Sequence, residues 1–98
     1  QGRAMFRAVL LSLALTVAFS ASAKAACFAD YKAKRGEQLE LHYGVVEIRG
    51  ACDPGSAATE VRRRIAQDGW ELLTVVGVFD ESGLEERRDN AGPYFLRY

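Results

Sequence analysis

The stretch Ser56–Phe79, SAATEVRRRIAQDGWELLTVVGVF, decides the fold, because a helix signal, a stop signal and a strand signal follow one another in it without a gap. Ser56 is a suitable helix N-cap. Ala57, Val61 and Ile65 then recur every four residues, which lays one narrow apolar stripe along a helix. The first half of the stretch therefore predicts a helix that begins at Ser56 and packs through this stripe.

Gly69 predicts the end of this helix. Just past the last periodic residue, a glycine adopts the left-handed backbone conformation without a steric penalty, and Trp70 then falls where a Schellman motif folds it back onto Ile65. From Leu72 to Phe79 the pattern changes to a run rich in Leu, Val and Phe, which is too short and too β-branched for a second helix. This run predicts a buried strand.

The N-terminal quarter of the 98 residues has the pattern of a secretory signal peptide. Met5–Arg7 is a short basic segment, Ala8–Phe19 is an apolar core, and Ser20–Ala26 consists of small residues apart from Lys24. The apolar core of about 12 residues is shorter than the roughly 20 that a membrane-spanning helix needs. We therefore predict a cloning remnant at 1–4, a signal peptide at 5–26 and one small domain at 27–98.

The signal peptide predicts a periplasmic or secreted protein with no membrane attachment after cleavage. Cleavage removes Arg3, Arg7 and Lys24, which leaves 10 basic residues against 13 acidic ones and a net charge of −3. This sign argues against nucleic acid or an anionic membrane as the partner. Lys24 also stands where a lipobox requires a Leu-like residue, so Cys27 is not predicted to carry a lipid.

Cys27 and Cys52 are the only cysteines of a chain addressed to an oxidising compartment, so a disulfide is predicted. It closes a loop of about 25 residues, which is worth roughly 3 kcal/mol in the chain-entropy picture. A redox pair would require C-x-x-C spacing, and two cysteines with one histidine are too few for a zinc site. We therefore predict neither a metal nor a cofactor.

Leu39–Ile48 (LELHYGVVEI) predicts a strand whose alternation changes phase halfway. In its first half the apolar and polar side chains lie on opposite faces: Leu39, Leu41 and Tyr43 against Glu40 and His42. Val46 and Ile48 are apolar at the other parity. A β-bulge at Gly44-Val45 would return all these apolar side chains to one face, and we predict it. Regular pairing would instead bury parts of both faces.

Three further segments complete the domain. Phe28–Lys34 is compatible with an edge strand or with a helical turn. Within the polar segment Asp80–Pro93, Ser82–Asp89 predicts one or two helical turns with Leu84 as the inward anchor. Tyr94–Tyr98 predicts a short aromatic strand that closes the chain.

These elements predict an α+β fold, with one main helix packed on a three- to four-stranded, mainly antiparallel sheet in the order β-α-β-β. A helix between the first two strands makes them parallel through a right-handed crossover. We predict that the last strand, Tyr94–Tyr98, lies antiparallel to both in the middle of the sheet.

The segments Gly69-Trp70-Glu71-Leu72 and Tyr94–Tyr98, with the strand and helix before them, resemble a family of small bacterial proteins of unknown function. The resemblance covers 39–98. It implies a compact α+β fold and brings no assigned catalytic residue. This chain departs from the family pattern in its signal peptide, its cysteines and its longer polar insert at Asp80–Pro93.

His42 is the one histidine of the chain, and its position between Leu41 and Tyr43 predicts a solvated side chain on the polar face. As a general base it would need a partner, and the spacing of Glu40 and Glu47 does not determine one. No nucleophile motif, glycine-rich phosphate loop or metalloprotease motif occurs in the sequence. We therefore predict a protein without enzymatic activity, and an enzyme that uses His42 is the minority alternative.

Four arginines are candidate anion contacts: Arg62, Arg63, Arg87 and Arg88. The first two lie on the side of the predicted helix away from its apolar stripe, and Glu60 stands four residues before Arg64, which favours an i,i+4 ion pair. The other two follow adjacent glutamates. A solvated helix face is the preferred interpretation of both groups.

One helix covers only one face of a sheet, so the other face must be covered by 28–34, by a second copy, or by a partner or ligand. The candidate binding face is aromatic: Tyr43, Tyr94, Phe95 and Tyr98. We predict a small secreted or periplasmic interaction module that the disulfide stabilises and that self-associates through its sheet or binds an envelope protein. A periplasmic binder of a small ligand or an envelope component, with Tyr43, Tyr94 and Tyr98 around a cleft, is the alternative.

Overall fold

The structure, a computed structural model, describes residues 25–98. The predicted cloning remnant and all but the last two residues of the predicted signal peptide lie outside this range. The elements in chain order are β1 Cys27–Arg35, β2 Glu40–Ile48, α1 Pro54–Ile65, a 3₁₀ helix Ala66–Asp68, β3 Glu71–Phe79, a 3₁₀ helix Glu81–Gly83, α2 Glu85–Ala91 and a 3₁₀ helix Gly92–Tyr94. The predicted α+β class, with one main helix on a three-stranded antiparallel sheet, is confirmed.

The segment that the sequence left open between strand and helix is the central strand, β1. It pairs antiparallel with β2 on one side and with β3 on the other, so the strand order is β2-β1-β3. Ala29, Tyr31 and Ala33 of β1 are fully buried, and the two alanines let α1 pack close to the sheet. We call the sheet face that carries these three side chains the helix face. The opposite face, which carries Phe28, Asp30 and Lys32, is called the open face.

The prediction that Tyr94–Tyr98 forms the middle strand is wrong, because β1 occupies that position. The C-terminal segment runs along the outer edge of β2, where Phe95 makes one parallel bridge to Val45 and the Leu96 N–H donates to the Val45 carbonyl at 2.8 Å. The ladder stops there because Leu96 has a φ of 55°, outside the β region. β2 and β3, predicted to be parallel, run in the same direction on either side of β1.

The bulge predicted at Gly44-Val45 is also wrong, because β2 pairs with β1 in one continuous register. Regular pairing places Val46 on the helix face and Val45 on the open face, and both are fully buried. Gly44 is required for a packing reason: an added Cβ would stand 2.5 Å from the Tyr31 hydroxyl oxygen. β2 therefore buries parts of both its faces.

The faces predicted for the start of β2 are reversed. Leu39 and Leu41, predicted to face the core, are 57% and 64% exposed, whereas His42 is only 9% exposed. The register explains the reversal, because His42 lies opposite Ala33, whose side chain faces the core. The small alanine leaves room for the imidazole beside it.

The register of β3 against β1 shifts twice, and Leu73 and Val76 are the residues left without a partner on β1. The shifts bring Leu72, Val75 and Val78 to the helix face, where they pack against the core. Leu73 and Val76 stay more than half exposed. β3, predicted to be buried, is therefore an edge strand with one covered face.

Helix α1 begins earlier than predicted, because Asp53 and not Ser56 is its N-cap. The Asp53 carboxylate accepts the Ser56 N–H at 2.8 Å, and Pro54 starts the first turn, where its missing N–H removes no helical hydrogen bond. The predicted apolar stripe of α1 is fully buried: Ala57, Val61 and Ile65.

Gly69 ends the helical segment as predicted, with a φ of 79°. The Trp70 N–H donates to the Ile65 carbonyl at 3.2 Å and the Gly69 N–H to the Ala66 carbonyl at 3.0 Å. This pair of hydrogen bonds defines the predicted Schellman motif. Trp70 is folded back into the same buried cluster as Ile65.

Two further connections complete the fold. Cys27 and Cys52 form the predicted disulfide, with Cα atoms 5.9 Å apart, which ties the start of β1 to the loop before α1. The polar segment after β3 forms α2, which packs on the open face beside β2. Leu84, the predicted anchor, is half-buried, and the buried residue of α2 is Ala91.

Candidate functional site

The single histidine lies in an aromatic cluster on the helix face. The His42 ring stacks on Tyr94 with ring centroids 3.7 Å apart, and Trp70 meets it edge-on at 4.2 Å. Its Nε2 is 2.9 Å from the hydroxyl oxygen of Tyr31. The Schellman turn positions Trp70 and the C-terminal 3₁₀ helix positions Tyr94, so separate elements enclose the imidazole.

The prediction that His42 is solvated is wrong, and the enclosure keeps the ring neutral at pH 7. Burial, together with the charges of the Arg35 and Arg97 guanidinium groups, lowers the pKa of His42 from 6.5 to about 4. Among the described residues, Tyr31 is the hydrogen-bond partner of the ring and its Nδ1 has none. No carboxylate of residues 25–98 therefore forms a hydrogen bond with the His42 ring.

The aromatic residues predicted to form one binding face are dispersed. Tyr94 and Tyr98 border His42 on the helix face. Tyr43 lies on the open face, and Phe95 lies at the edge of β2. The predicted cleft between Tyr43, Tyr94 and Tyr98 is not formed, because the sheet separates the first ring from the other two.

The arginines predicted as anion contacts lie on opposite sides of the sheet. Arg62 and Arg63 are exposed on α1, and Arg88 forms an ion pair with a glutamate of its own helix, α2. Arg87, on the same helix, pairs with Asp30 at 3.1 Å. These four side chains therefore do not converge on one anion site.

Glu60, which the sequence singled out only as an ion-pair partner, organises the loop before α1. It is 8% exposed and accepts the backbone N–H groups of Arg49 at 3.0 Å and Gly50 at 2.9 Å. The predicted pair with Arg64 is confirmed at 2.7 Å, but it lies in the interior. Burial opposes ionisation, yet these donors together lower the pKa of Glu60 below its usual value. Arg64 also donates to the Tyr98 carbonyl and so holds the C-terminal segment.

Asp30 anchors α2 to the open face. It is 4% exposed, and its Oδ2 accepts the Tyr43 hydroxyl at 2.8 Å and the Arg87 Nε at 3.1 Å. Burial, together with the hydrogen bond to Asp30, raises the pKa of Tyr43 to about 12. The Arg87 guanidinium also lies 4.0 Å from the centre of the Phe79 ring. Gly83 is required beside Arg87 and Phe79, because an added Cβ would stand 2.7 Å from an atom of each of these side chains.

The other half of the open face is not covered by α2. A groove of about 290 Å³ lies there, which we call the hairpin groove because it adjoins the turn between β1 and β2. Lys32, Leu41, Tyr43 and Leu73 line it, together with Ala33 and His42, which belong to the helix face. Leu41 and Leu73 are more than half exposed, which is unusual for two large apolar residues beside one groove.

The two edges of the sheet also differ. The C-terminal segment covers the outer edge of β2 through Phe95 and Leu96. No strand or bridge among residues 25–98 pairs with the outer edge of β3. This free edge carries the exposed Leu73 and Val76, and Glu71 is its one charged residue.

The described part of the chain contains neither a candidate membrane-spanning helix nor a candidate metal-binding cluster. No helix within 25–98 is both long and apolar enough to cross a membrane. The same residues bring together no group of three or more His, Cys, Asp or Glu side chains that could hold a metal ion.

No family model, no curated protein and no solved structure matches this chain. The functional assignment therefore depends on the geometry of the residues described above.

Proposed function

We propose that the protein is a small interaction module of the periplasm or the secreted fraction, which acts by binding and associates with a second copy of itself through β3. The observation that carries the proposal is the free outer edge of β3, nine residues long, on which Leu73 and Val76 are exposed. An uncovered apolar strand edge is a template for pairing with another strand.

The charge pattern of β3 favours a second copy as the occupant. In an antiparallel pair related by a two-fold axis near Val75, Glu71 of one copy lies beside Phe79 of the other. The two acidic side chains are then at opposite ends of the interface and do not repel each other. The pairing joins two sheets into one of six strands.

The covered edge of β2 explains why such an association would stop at a dimer. After two β3 strands have paired, the outermost strands of the joined sheet are the two copies of β2. On each of these edges Phe95 forms a bridge with Val45, and the Leu96 N–H donates to the Val45 carbonyl. A closed dimer therefore leaves no free edge of the same kind for further growth.

The disulfide supports the proposed compartment, because disulfides persist in oxidising surroundings. Thiol trapping in fractionated cells tests this part of the proposal. We expect Cys27 and Cys52 to resist alkylation without a reductant and the protein to fractionate with the periplasm or the medium. Alkylation of both thiols in a cytoplasmic fraction would contradict it.

Light scattering coupled to size-exclusion chromatography tests the association. We expect a dimer that dissociates on dilution, and we expect Val76→Lys to be monomeric because a charge on a strand edge opposes pairing. Leu96→Lys is the matched control, since Leu96 is also an exposed apolar residue but lies at the β2 edge. A strict monomer at all concentrations, or loss of the dimer in Leu96→Lys alone, would overturn the proposal.

A further inference from the structure

We propose that the hairpin groove binds a free, single-chain carboxylate, in which an unbranched acyl chain lies against Leu41, Tyr43 and Leu73 and the carboxylate pairs with Lys32. This site lies on the open face and shares only Leu73 with the edge of β3 that the proposed pairing uses. It also differs from the tyrosine cleft predicted from the sequence, of which only Tyr43 remains.

The apolar part of the site exists because α2 reaches only half of the open face. Arg87 attaches α2 at Asp30, and the next open-face residue along β1 is Lys32. Beyond that point Leu41 and Leu73 are 64% and 51% exposed on opposite sides of the groove. An acyl chain laid between them would remove apolar surface from water on both sides.

The charge of the site comes from Lys32. Asp30, its neighbour on the same face, is already paired with Arg87. Lys34 pairs with Glu71 at 3.9 Å, whereas Lys32 has no ion-pair partner among residues 25–98. Lys32 belongs to the central strand, opposite Tyr43 and Thr74, and it lines the groove. An anionic end group therefore complements the groove.

The size of the groove selects among anionic amphiphiles. Its volume of about 290 Å³ is at the lower end of the range for small-molecule sites. One unbranched chain fits this space, and the two chains of a phospholipid do not. The proposal therefore commits to a free carboxylate, and binding to a membrane surface is an outcome that would contradict it.

Calorimetric titration of the disulfide-bonded protein with decanoate, below its micelle concentration at neutral pH, tests the site. We expect saturable binding of one decanoate per chain, weaker binding of decanol, which lacks the charge, and no binding of acetate, which lacks the chain. Equal binding of decanoate and decanol would remove the role of Lys32. Binding to phosphatidylglycerol vesicles without binding of decanoate would identify a membrane surface instead.

Matched variants assign the contacts. Lys32→Met should weaken decanoate binding about fivefold, as expected for loss of a partly exposed ion pair, whereas Lys34→Met on the same face should leave it unchanged. Leu73→Ser should weaken binding and Val76→Ser should not, although both residues are exposed at register shifts of β3. Equal effects of the two lysine variants, or equal effects of the two serine variants, would overturn the assignment of Lys32 and Leu73 to the site.

The two proposals fail independently. Decanoate should bind equally well to the wild type and to the monomeric variant Val76→Lys, because the groove lies within one copy of the chain. Loss of binding in that variant would show that a single copy does not form the site. Absence of decanoate binding in a protein that still dimerises would overturn the groove and leave the association intact.

Discussion

The two faces of the sheet are held by different kinds of interaction. On the helix face, α1 buries a continuous apolar cluster that includes Tyr31, Ile65 and Trp70. On the open face, Phe28 and Val45 are buried, Arg87 of α2 pairs with Asp30, and the hairpin groove remains uncovered. The helix face therefore holds the larger apolar cluster, while the open face leaves apolar surface exposed at the hairpin groove.

The difference follows from the two helices. The stripe of α1 repeats an apolar residue every turn, so the whole helix lies against the sheet. α2 has only seven residues, EERRDNA, and Ala91 is its one buried side chain. Because α2 is shorter and more polar than α1, it covers less of the sheet.

The largest effect should come from the helix face. Ile65→Ala should lower the free energy of unfolding by about 4 kcal/mol, because Ile65 is fully buried and its truncation leaves a cavity. Leu41→Ala on the open face is the matched control and should change stability by less than about 0.5 kcal/mol. Urea denaturation measures both variants. Similar losses would show that the two faces contribute equally to folding.

The next effect is a pH dependence that comes from the helix face. The folded-state pKa of His42, about 4, lies below its usual value of 6.5, so the unfolded chain binds the proton more readily. The stabilisation is complete above about pH 6.5 and is lost as the pH falls towards 4. At pH 4 the loss of stability should amount to about 3 kcal/mol. Unfolding free energies at several pH values measure this loss.

His42→Phe keeps an aromatic ring at this position and does not titrate, so the part of the pH dependence due to His42 should disappear in that variant. His42 is the only histidine of the chain, so its imidazole resonance identifies the titration directly. An imidazole that titrates near pH 6.5 in the folded protein would contradict the enclosed cluster.

The smallest effect should come from the open face. Arg87→Met retains a side chain over Phe79 but removes one of the two hydrogen-bond donors to the buried Asp30, and it should lower the free energy of unfolding by about 1 to 2 kcal/mol. Arg88→Met removes only an exposed ion pair and should cost less than about 0.5 kcal/mol. Thermal unfolding measures both. Equal losses in the two variants would contradict the role of Asp30 as the anchor of α2.

Local signals in the sequence predicted a large part of the fold. The apolar stripe of α1, the left-handed Gly69 and the folding back of Trp70 depend on residues within one or two helical turns of each other. The pairing of Cys27 with Cys52 followed from there being no other cysteine. The predicted N-cap was wrong because Asp53-Pro54 is also a helix-start signal and lies just before Ser56.

The candidate sites were predicted less well, because they depend on which strands are neighbours. His42 is buried since it lies opposite Ala33, and Leu41 is exposed for the same reason of register. The hairpin groove requires both β2 and β3 beside β1, and the sequence left β1 open between an edge strand and a helical turn. Of the residues that line the groove, only Tyr43 was predicted to belong to a binding surface.

The amino-acid sequence by itself determined the main helix, its end, the strands on either side of it and the disulfide, since each depends on residue types at short spacing or on a unique pair. Only the tertiary structure decided that Cys27–Arg35 is the central strand and that the last aromatic residues cover an edge. The physical reason is that strand order and register arise from burial shared between distant segments. Alternating Ala and Lys in β1 becomes interpretable only when α1 lies on one side of the strand and water on the other.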